Sequence, residues 1–434
     1  MSSTTRQLVS VARSALSIPL SSLVLLSQTD ELQLQSVVDS VKYKHVSSLE
    51  GVNEVDLIVA DGILMKDGMI GENGIVGGAL DSFLLSAVSA LRTQGVLVIR
   101  EDVRGVSHPR ETLPALTDYF DVFRREVEGK YVGFDFYCAE QLENSIHTKQ
   151  NWLDFIWVLR KKEFPKPSSD SSAVTFRDFL DKTQYTNTGI GSYEWMFGKD
   201  FISPGGFDEN LRIFSKYLTG LEVGRTMLDI GSGIGGGVRQ AAASFGIYVT
   251  GTDLSANMLS EAIVRVHNER DSRVRYSICD AVLYSFPSNY FDFVFSRDCI
   301  QHIPDKHALF RNIFKSLKPG GVVLITMYGK GKGELTEEFK KFVEKRMYHL
   351  QTLEEVKKVA ESEGFVNLYT ENLTPRFKEI LTAERDHLVK EKDDFFKHYS
   401  QAEYDSLYNG WTAKLGYIEA DNHNWNLLRA QKPL

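Results

Sequence analysis

The chain has 434 residues, 42% hydrophobic and 25% charged, with a formal net charge of −8. That length suggests two domains in an ordinary globular composition, and the acidic balance excludes a dedicated nucleic-acid surface, which would leave a basic footprint. No apolar run is long enough to span a membrane, and the scattered Cys138, Cys279 and Cys299 fit reduced buried thiols, with no disulfide framework and no metal cluster.

In chain order, residues 1–29 hold Arg6, Arg13, many serines and no acid before Asp30, a transit-peptide-like composition. The apolar piece Leu20–Leu26 is short for a secretory signal, so the segment is expected to begin a cytoplasmic protein. Val55–Ala60 and Ala90–Ile99 are strand-like and are repeated later. Val55-Asp-Leu-Ile-Val-Ala60 reads like Phe291-Asp-Phe-Val-Phe-Ser296, and Ala90-Leu-Arg-Thr-Gln-Gly-Val-Leu-Val-Ile99 like Ser316-Leu-Lys-Pro-Gly-Gly-Val-Val-Leu-Ile325. Asn151–Arg160 and His423–Arg429 close the two copies. With Asp56 aligned on Asp292, Gly62 and Lys66 stand where the second copy has Asp298 and His302. An insert, Asp67–Gly78, sits where a helix cap would be, and no Asp-x-Gly-x-Gly loop precedes Asp56. Lys161–Ala173, rich in Lys, Pro and Ser, marks a linker over 166–180 between domains 1–165 and 181–434.

Helical periodicity resumes at Phe176–Lys182. Gln184–Gly198 predicts an aromatic lid helix packing Trp195, Met196 and Phe197, and Phe201–Gly206 predicts a turn. Met227-Leu-Asp-Ile-Gly-Ser-Gly-Ile-Gly-Gly-Gly237 then takes an apolar run to Asp229 and into a glycine loop. Three further runs end in Asp253, Asp280 and Asp298. Four acid-tipped strands delivered to one sheet edge describe a nucleoside-binding crevice. Gly231, Gly233 and Gly236 also satisfy a dinucleotide pattern. However, Asp229 stands where a pyrophosphate would be repelled and where an ammonium and a sulfonium would be welcome.

Leu317-Lys-Pro-Gly-Gly321 feeds a fifth strand, Val322–Thr326. The charged stretches 335–349 and 376–399 have helical spacing with apolar residues interleaved; their default meaning is a solvated helix face, and most of their lysines and glutamates are given no role. His302 follows Asp298 by four residues where a strand tip leads into a helix, a spacing that would stack carboxylate on imidazole. An alkyl ammonium titrates near ~10 and has no lone pair, so methylating an amine needs a proton acceptor; His302 is the candidate.

The order of glycine loop, acids and Leu-Lys-Pro-Gly-Gly turn resembles the class I S-adenosylmethionine-dependent methyltransferases. That resemblance implies an α/β, Rossmann-like catalytic domain in the second half and a partial, vestigial methyltransferase-like first half. Gln184-Tyr, Tyr193-Glu, Phe197-Gly, Ile202-Ser, Gly205-Gly and Ser296-Arg-Asp followed by His302 resemble, more specifically, the phosphoethanolamine N-methyltransferases of nematode type.

The family implies S-adenosyl-L-methionine as cofactor, no metal, and a catalytic set of Tyr185, His302 and Asp298. Cofactor contacts would come from Gln184, Tyr193, Ile202, Ser203, Asp229, Gly231, Gly233, Asp253, Leu254, Asp280, Ala281 and Arg297. A phosphate pocket would come from Tyr328, Arg346, Tyr348 and Lys414. Where the family pattern has a tyrosine four positions before the pocket arginine, this chain has Phe342, one hydroxyl fewer. The implied reaction takes phosphomonomethylethanolamine and phosphodimethylethanolamine to phosphocholine for phosphatidylcholine synthesis. A separate enzyme would make the first product, and a monomer is expected. The alternatives are methylation of phosphoethanolamine itself, a sterol or a quinone, or a cofactor-binding regulatory protein without turnover.

Overall fold

The computed structural model describes residues 3–29, 32–37, 40–64, 69, 78–102, 109–142, 154–166, 175–269 and 271–434. The chain divides into two compact units, Met1–Asp181 with Leu254–Ser285, and Lys182–Asp253 with Phe286–Leu434. Lys66, most of the Asp67–Gly78 insert, residues 151–153 and residues 167–174 of the expected linker lie outside the described residues.

The strands of the first half are β1 (Ser22–Leu26), β2 (Lys42–Val46), β3 (Val55–Asp61), β4 (Leu91–Asp102), β5 (Arg124–Val127), β6 (Lys130–Gln141) and β7 (Asp154–Glu163). Those of the second half are β8 (Thr226–Ile230), β9 (Tyr248–Asp253), β10 (Val274–Cys279), β11 (Phe291–Arg297), β12 (Leu317–Gly329), β13 (Val366–Asn372) and β14 (Asn424–Gln431).

In the second unit β9, β8, β11 and β12 are parallel neighbours in that order, and β14 and then β13 continue the sheet antiparallel. Met227–Ile230 and all of β11 are buried, the continuous apolar pattern of strands covered on both faces. The chain leaves β8 for β9 on one side and later returns to β11 on the other. The β8/β11 boundary is therefore the topological switch point, where open α/β sheets bind ligands beyond the strands' carboxyl ends. At the opposite end of β11, Asp292 Oδ2 accepts from Thr226 N at 2.9 Å and Lys318 Nζ at 2.7 Å, and Oδ1 takes Arg225 at 2.8 Å. Burial works to raise this carboxyl, yet those partners hold it below the usual range.

The first unit repeats this plan. Its strands β2, β1, β3, β4, β7 and β6 follow one another with the same polarities as β9, β8, β11, β12, β14 and β13. Asp56 does the work of Asp292: Oδ2 accepts from Ser21 N and Ser22 N at 2.7 Å, and Oδ1 meets Arg92 Nε at 2.7 Å. The sequence repeat is therefore real and longer than expected. Sequence showed only the later strands, because β1 and β2 have five residues each and β2, Lys-Tyr-Lys-His-Val, is largely solvent-facing. After β1 the first unit has Ser27-Gln28-Thr29, with the Ser27 hydroxyl bonded to Thr29 O, where the second has its glycine loop.

One acid-tipped strand of the expected four falls in the first unit. β10 runs antiparallel to β6 with Ser277 opposite Glu140 and Cys279 opposite Cys138, a pairing across more than a hundred residues that spacing cannot reveal. All three cysteines are free thiols. Among the described residues no helix is long and apolar enough to cross a membrane, and no cluster of His, Cys, Asp or Glu is placed to hold a metal ion.

Candidate active site

The second unit builds its glycine loop at the switch point. Gly231 (φ 78°) donates its N–H to Thr252 O at 2.8 Å, and a Cβ there would collide with the Cys299 side chain. Gly233 N donates to Asp253 Oδ2 at 2.9 Å, fixing the second acid against the loop. Gly236 opens the helix Gly236–Phe245, and a Cβ there would collide with Asp200 O. The backbone thus comes as close to the space above β8 as glycine allows.

Asp229 is buried beside this loop. Burial first, and then the Asp253 charge, push its carboxyl up to about 8 against the pull of Arg297. A buried acid lacking a matching cation, with Ser232 Oγ three residues on buried without a hydrogen-bond partner, suits a ligand that brings a positive charge and polar edges; Gln184 Oε1 is likewise buried and unpartnered. These features fit the amino acid end of S-adenosylmethionine. Ile202 and Ser203 lie in the expected turn, closed by Gly206 N donating to Ser203 O at 3.1 Å. The terminal nitrogens of Arg297 are spent within the protein: Nη1 donates to Gly206 O at 3.2 Å and Asn210 Oδ1 at 3.0 Å, and Nη2 to Pro204 O. Leu254, Asp280 and Ala281 belong to the first unit, where Asp280 Oδ1 accepts from Val282 N at 2.8 Å and closes its own turn.

The expected phosphate set converges within the second unit. The helix Glu337–Lys345 ends at Arg346, and Met347 at φ 51° turns the chain so that Arg346 and Tyr348 both point inward. Arg346 donates to the Tyr193 hydroxyl at 3.4 Å. The Tyr348 ring stands 4.8 Å from the His302 ring and 6.1 Å from that of Tyr328. Lys414 lies on the helix Gln401–Glu419 in the buried stripe of Tyr404, Leu407, Trp411, Leu415 and Ile418, with Nζ 4.3 Å from the Trp411 ring centre. Burial and the neighbouring Arg346 push Lys414 down to about 7. Gln184 Nε2 donates to the Tyr185 hydroxyl at 2.8 Å, and burial raises that phenol, with Tyr348 and Asp253 adding to the effect. Tyr185 is thus a proton donor, not an anion, in this setting. Burial, then Arg346, push His302 down to about 3, so its imidazole is neutral.

Two sequence expectations need correcting. Asp298 is not stacked on His302 by helical spacing: it sits at φ 52°, and only Ile300–His302 form a short 3-10 turn. Its Oδ1 accepts from Trp425 Nε1 at 2.6 Å and Thr326 Oγ1 at 2.9 Å, while Arg297 Nε stands 3.8 Å from Oδ2. The charged stretch 376–399 is also not wholly a solvated face. Glu384 is buried, accepts from Gly205 N at 2.7 Å and Trp411 Nε1 at 2.8 Å, and is pushed up to about 7 by burial. It ties the Ile202–Gly206 turn to the helix bearing Lys414. Its signal was readable, since Phe377, Ile380, Leu381 and Leu388 place position 384 on the apolar stripe. His423, at the head of β14, was seen only as part of a strand.

Residues 2–165 match the family described as phosphoethanolamine N-methyltransferase 2 N-terminal, and residues 228–325 match the methyltransferase domain family. The chain is 57% identical over 355 residues to phosphoethanolamine N-methyltransferase 2 of Caenorhabditis elegans, covering 82% of this chain and 80% of that one. It is 33% identical over 259 residues to the phosphoethanolamine N-methyltransferase of Plasmodium falciparum, 59% of this chain and 96% of that protein. The structure of Haemonchus contortus phosphoethanolamine N-methyltransferase 2 with phosphomonomethylethanolamine and S-adenosylhomocysteine matches it with a TM-score of 0.93 at 45% identity, covering 100% of both chains. With its glycine loop, unmatched Asp229 and buried Arg346–Lys414 socket in one unit, this chain belongs to the phosphoethanolamine N-methyltransferase family.

Proposed function

We propose that the chain methylates phosphomonomethylethanolamine and phosphodimethylethanolamine to phosphocholine, supplying phosphatidylcholine synthesis. The observation behind this reading is the buried socket of Arg346, Lys414, Tyr348 and Tyr328 beside a neutral His302. S-adenosylmethionine, when bound, supplies a methyl group on a sulfonium. Asp229 would face its ammonium, Asp253 its ribose hydroxyls, and the Gly231–Gly233 backbone would permit the close approach. Arg346 and Lys414 would hold the substrate phosphate, a planar fork and a point charge against a dianion, with the tyrosine hydroxyls adding donors. Fixing that end positions the amine for in-line attack, and positioning can supply several kcal/mol of the barrier.

The amine must shed a proton before its lone pair can bond to the methyl carbon, and His302 would accept it. A phosphate seated on Arg346 offsets the second cause of the depressed His302 basicity, so the imidazole becomes a better base only with substrate in place. Tyr185 would close over the pair, and Asp298 would face the substrate cation through the oxygen not spent on Trp425 and Thr326. The Haemonchus complex with phosphomonomethylethanolamine supports the substrate class. Residues 1–165, with Ser27-Gln28-Thr29 in place of a glycine loop, would hold no cofactor of their own. A cytoplasmic, monomeric enzyme fed by a separate first methyltransferase completes the reading.

Purified protein incubated with labelled S-adenosylmethionine and each phosphobase is expected to label the mono- and dimethylated substrates. Labelling phosphoethanolamine at a comparable rate would overturn the step assignment. Lys414 gives a second expectation. Its positive charge is present below about pH 7 and lost as pH rises through that value. The KM for phosphobase should therefore climb above roughly pH 7, and Lys414→Arg, which stays charged, should flatten that climb. A flat wild-type profile between about pH 7 and 9 would remove Lys414 from the socket.

A further inference from the structure

His423 is 0% exposed, and neither of its ring nitrogens has a hydrogen-bond partner. A neutral imidazole carries one N–H donor and one acceptor, and leaving both unmet in an apolar interior costs stability, so a native protein keeps such a group for a reason. On one side the ring meets apolar rings, those of Phe339, Phe342 and Phe377 at 5.6, 5.8 and 5.5 Å. On another side stands Tyr328, 4.9 Å from ring to ring, and Tyr328 belongs to the phosphate socket. The charges that act on His423 are those of Lys414 and Arg346, the two cations assigned to the phosphate.

From this placement we propose that His423 is a further headgroup-binding residue, whose neutral imidazole donates a hydrogen bond to a phosphate oxygen of the substrate. The proposal rests on the phosphobase reading and adds to it a residue that sets specificity for the phosphorylated end. The charge balance favours a neutral donor at this position. A phosphomonoester carries about −1.5 to −2 at pH 7, which Arg346 and Lys414 already match. A third cation would be buried without a counter-charge, whereas an uncharged N–H adds a directed bond and no excess charge. Burial and those two cations push His423 down to about 3, so it remains neutral across the working range. Phe342 brings no polar atom to this side of the socket, so the imidazole adds a donor there beside the Tyr328 hydroxyl.

His423→Phe keeps an aromatic ring among aromatic neighbours and removes only the nitrogens. In titration calorimetry it is expected to raise the Kd for phosphomonomethylethanolamine by roughly tenfold or more, the worth of a hydrogen bond to a charged group. Competition by inorganic phosphate should weaken by a similar factor. S-adenosylhomocysteine affinity should hold, the thermal midpoint of the free protein should hold or rise because two unmet polar atoms are gone, and His423→Gln should recover part of the phosphobase affinity. Wild-type binding left unchanged by His423→Phe overturns this proposal alone. Loss of S-adenosylhomocysteine affinity in step with phosphobase affinity also overturns it, by marking the ring as packing. A wild-type protein that binds no phosphobase overturns both this proposal and the functional reading beneath it.

Discussion

His302→Ala is expected to lower kcat for phosphomonomethylethanolamine by about 10²–10⁴, the usual contribution of a positioned acid–base group. The imidazole is buried, neutral and edge-on to Tyr348, next to the groups that would hold the phosphate. The other imidazole near the socket, His423, lies against Tyr328 and the rings of Phe339, Phe342 and Phe377 and is assigned to the phosphate end. Tyr185, Tyr328 and Tyr348 are all raised by burial and keep their protons. The Asp298 carboxyl is raised as well, chiefly by burial, and one oxygen is spent on Trp425 and Thr326. Cofactor affinity should hardly move, because the glycine loop and Asp229 come from β8, not from the His302 turn. Single-turnover kinetics separates the two effects, and a kcat within about twofold of wild type would take His302 out of the mechanism.

Asp229→Asn is expected to weaken S-adenosylhomocysteine binding by about 10–100-fold, the range for a hydrogen bond to a charged group. The same change should steady the empty protein at alkaline pH. The Asp229 carboxyl is raised from 3.8 to about 8 in the folded chain. Its contribution to stability is therefore complete below about pH 4 and is lost as pH rises toward about 8, where a buried charge must be tolerated. Asparagine has no such charge. The apo variant should gain thermal midpoint over wild type at pH 8 and lose that advantage near pH 5. Binding a ligand ammonium should also draw the proton off Asp229, so calorimetry near pH 7 in buffers of different ionisation enthalpy should show proton release in wild type and none in the variant. Cofactor affinity that Asp229→Asn leaves intact would refute the assignment. The gain and the loss share one cause: the acid is kept in a place where only the ligand makes its charge comfortable.

The amino-acid sequence alone determined the parts of this protein whose geometry is local. A strand ending in Asp229 and turning through Gly231 and Gly233 has little freedom in where it puts its backbone, so loop, nucleoside crevice and cofactor class could be read from the residues. The internal repeat was legible for the same reason, since Asp56 and Asp292 each clamp the start of a neighbouring strand through its backbone N–H. Only the tertiary structure decided which charged residues are buried and what they face. Asp298 turns away from the helical stacking its spacing suggested because Trp425, 127 residues later, donates to it. Residues 254–285 join the first unit because β10 finds β6. Glu384 shows in the sequence only its place on an apolar stripe and His423 only its place beside a strand; the partners that bury them come from distant chain. Burial is a property of contacts far apart in sequence, and burial is what turns a common side chain into an unmatched charge or an unpaired donor.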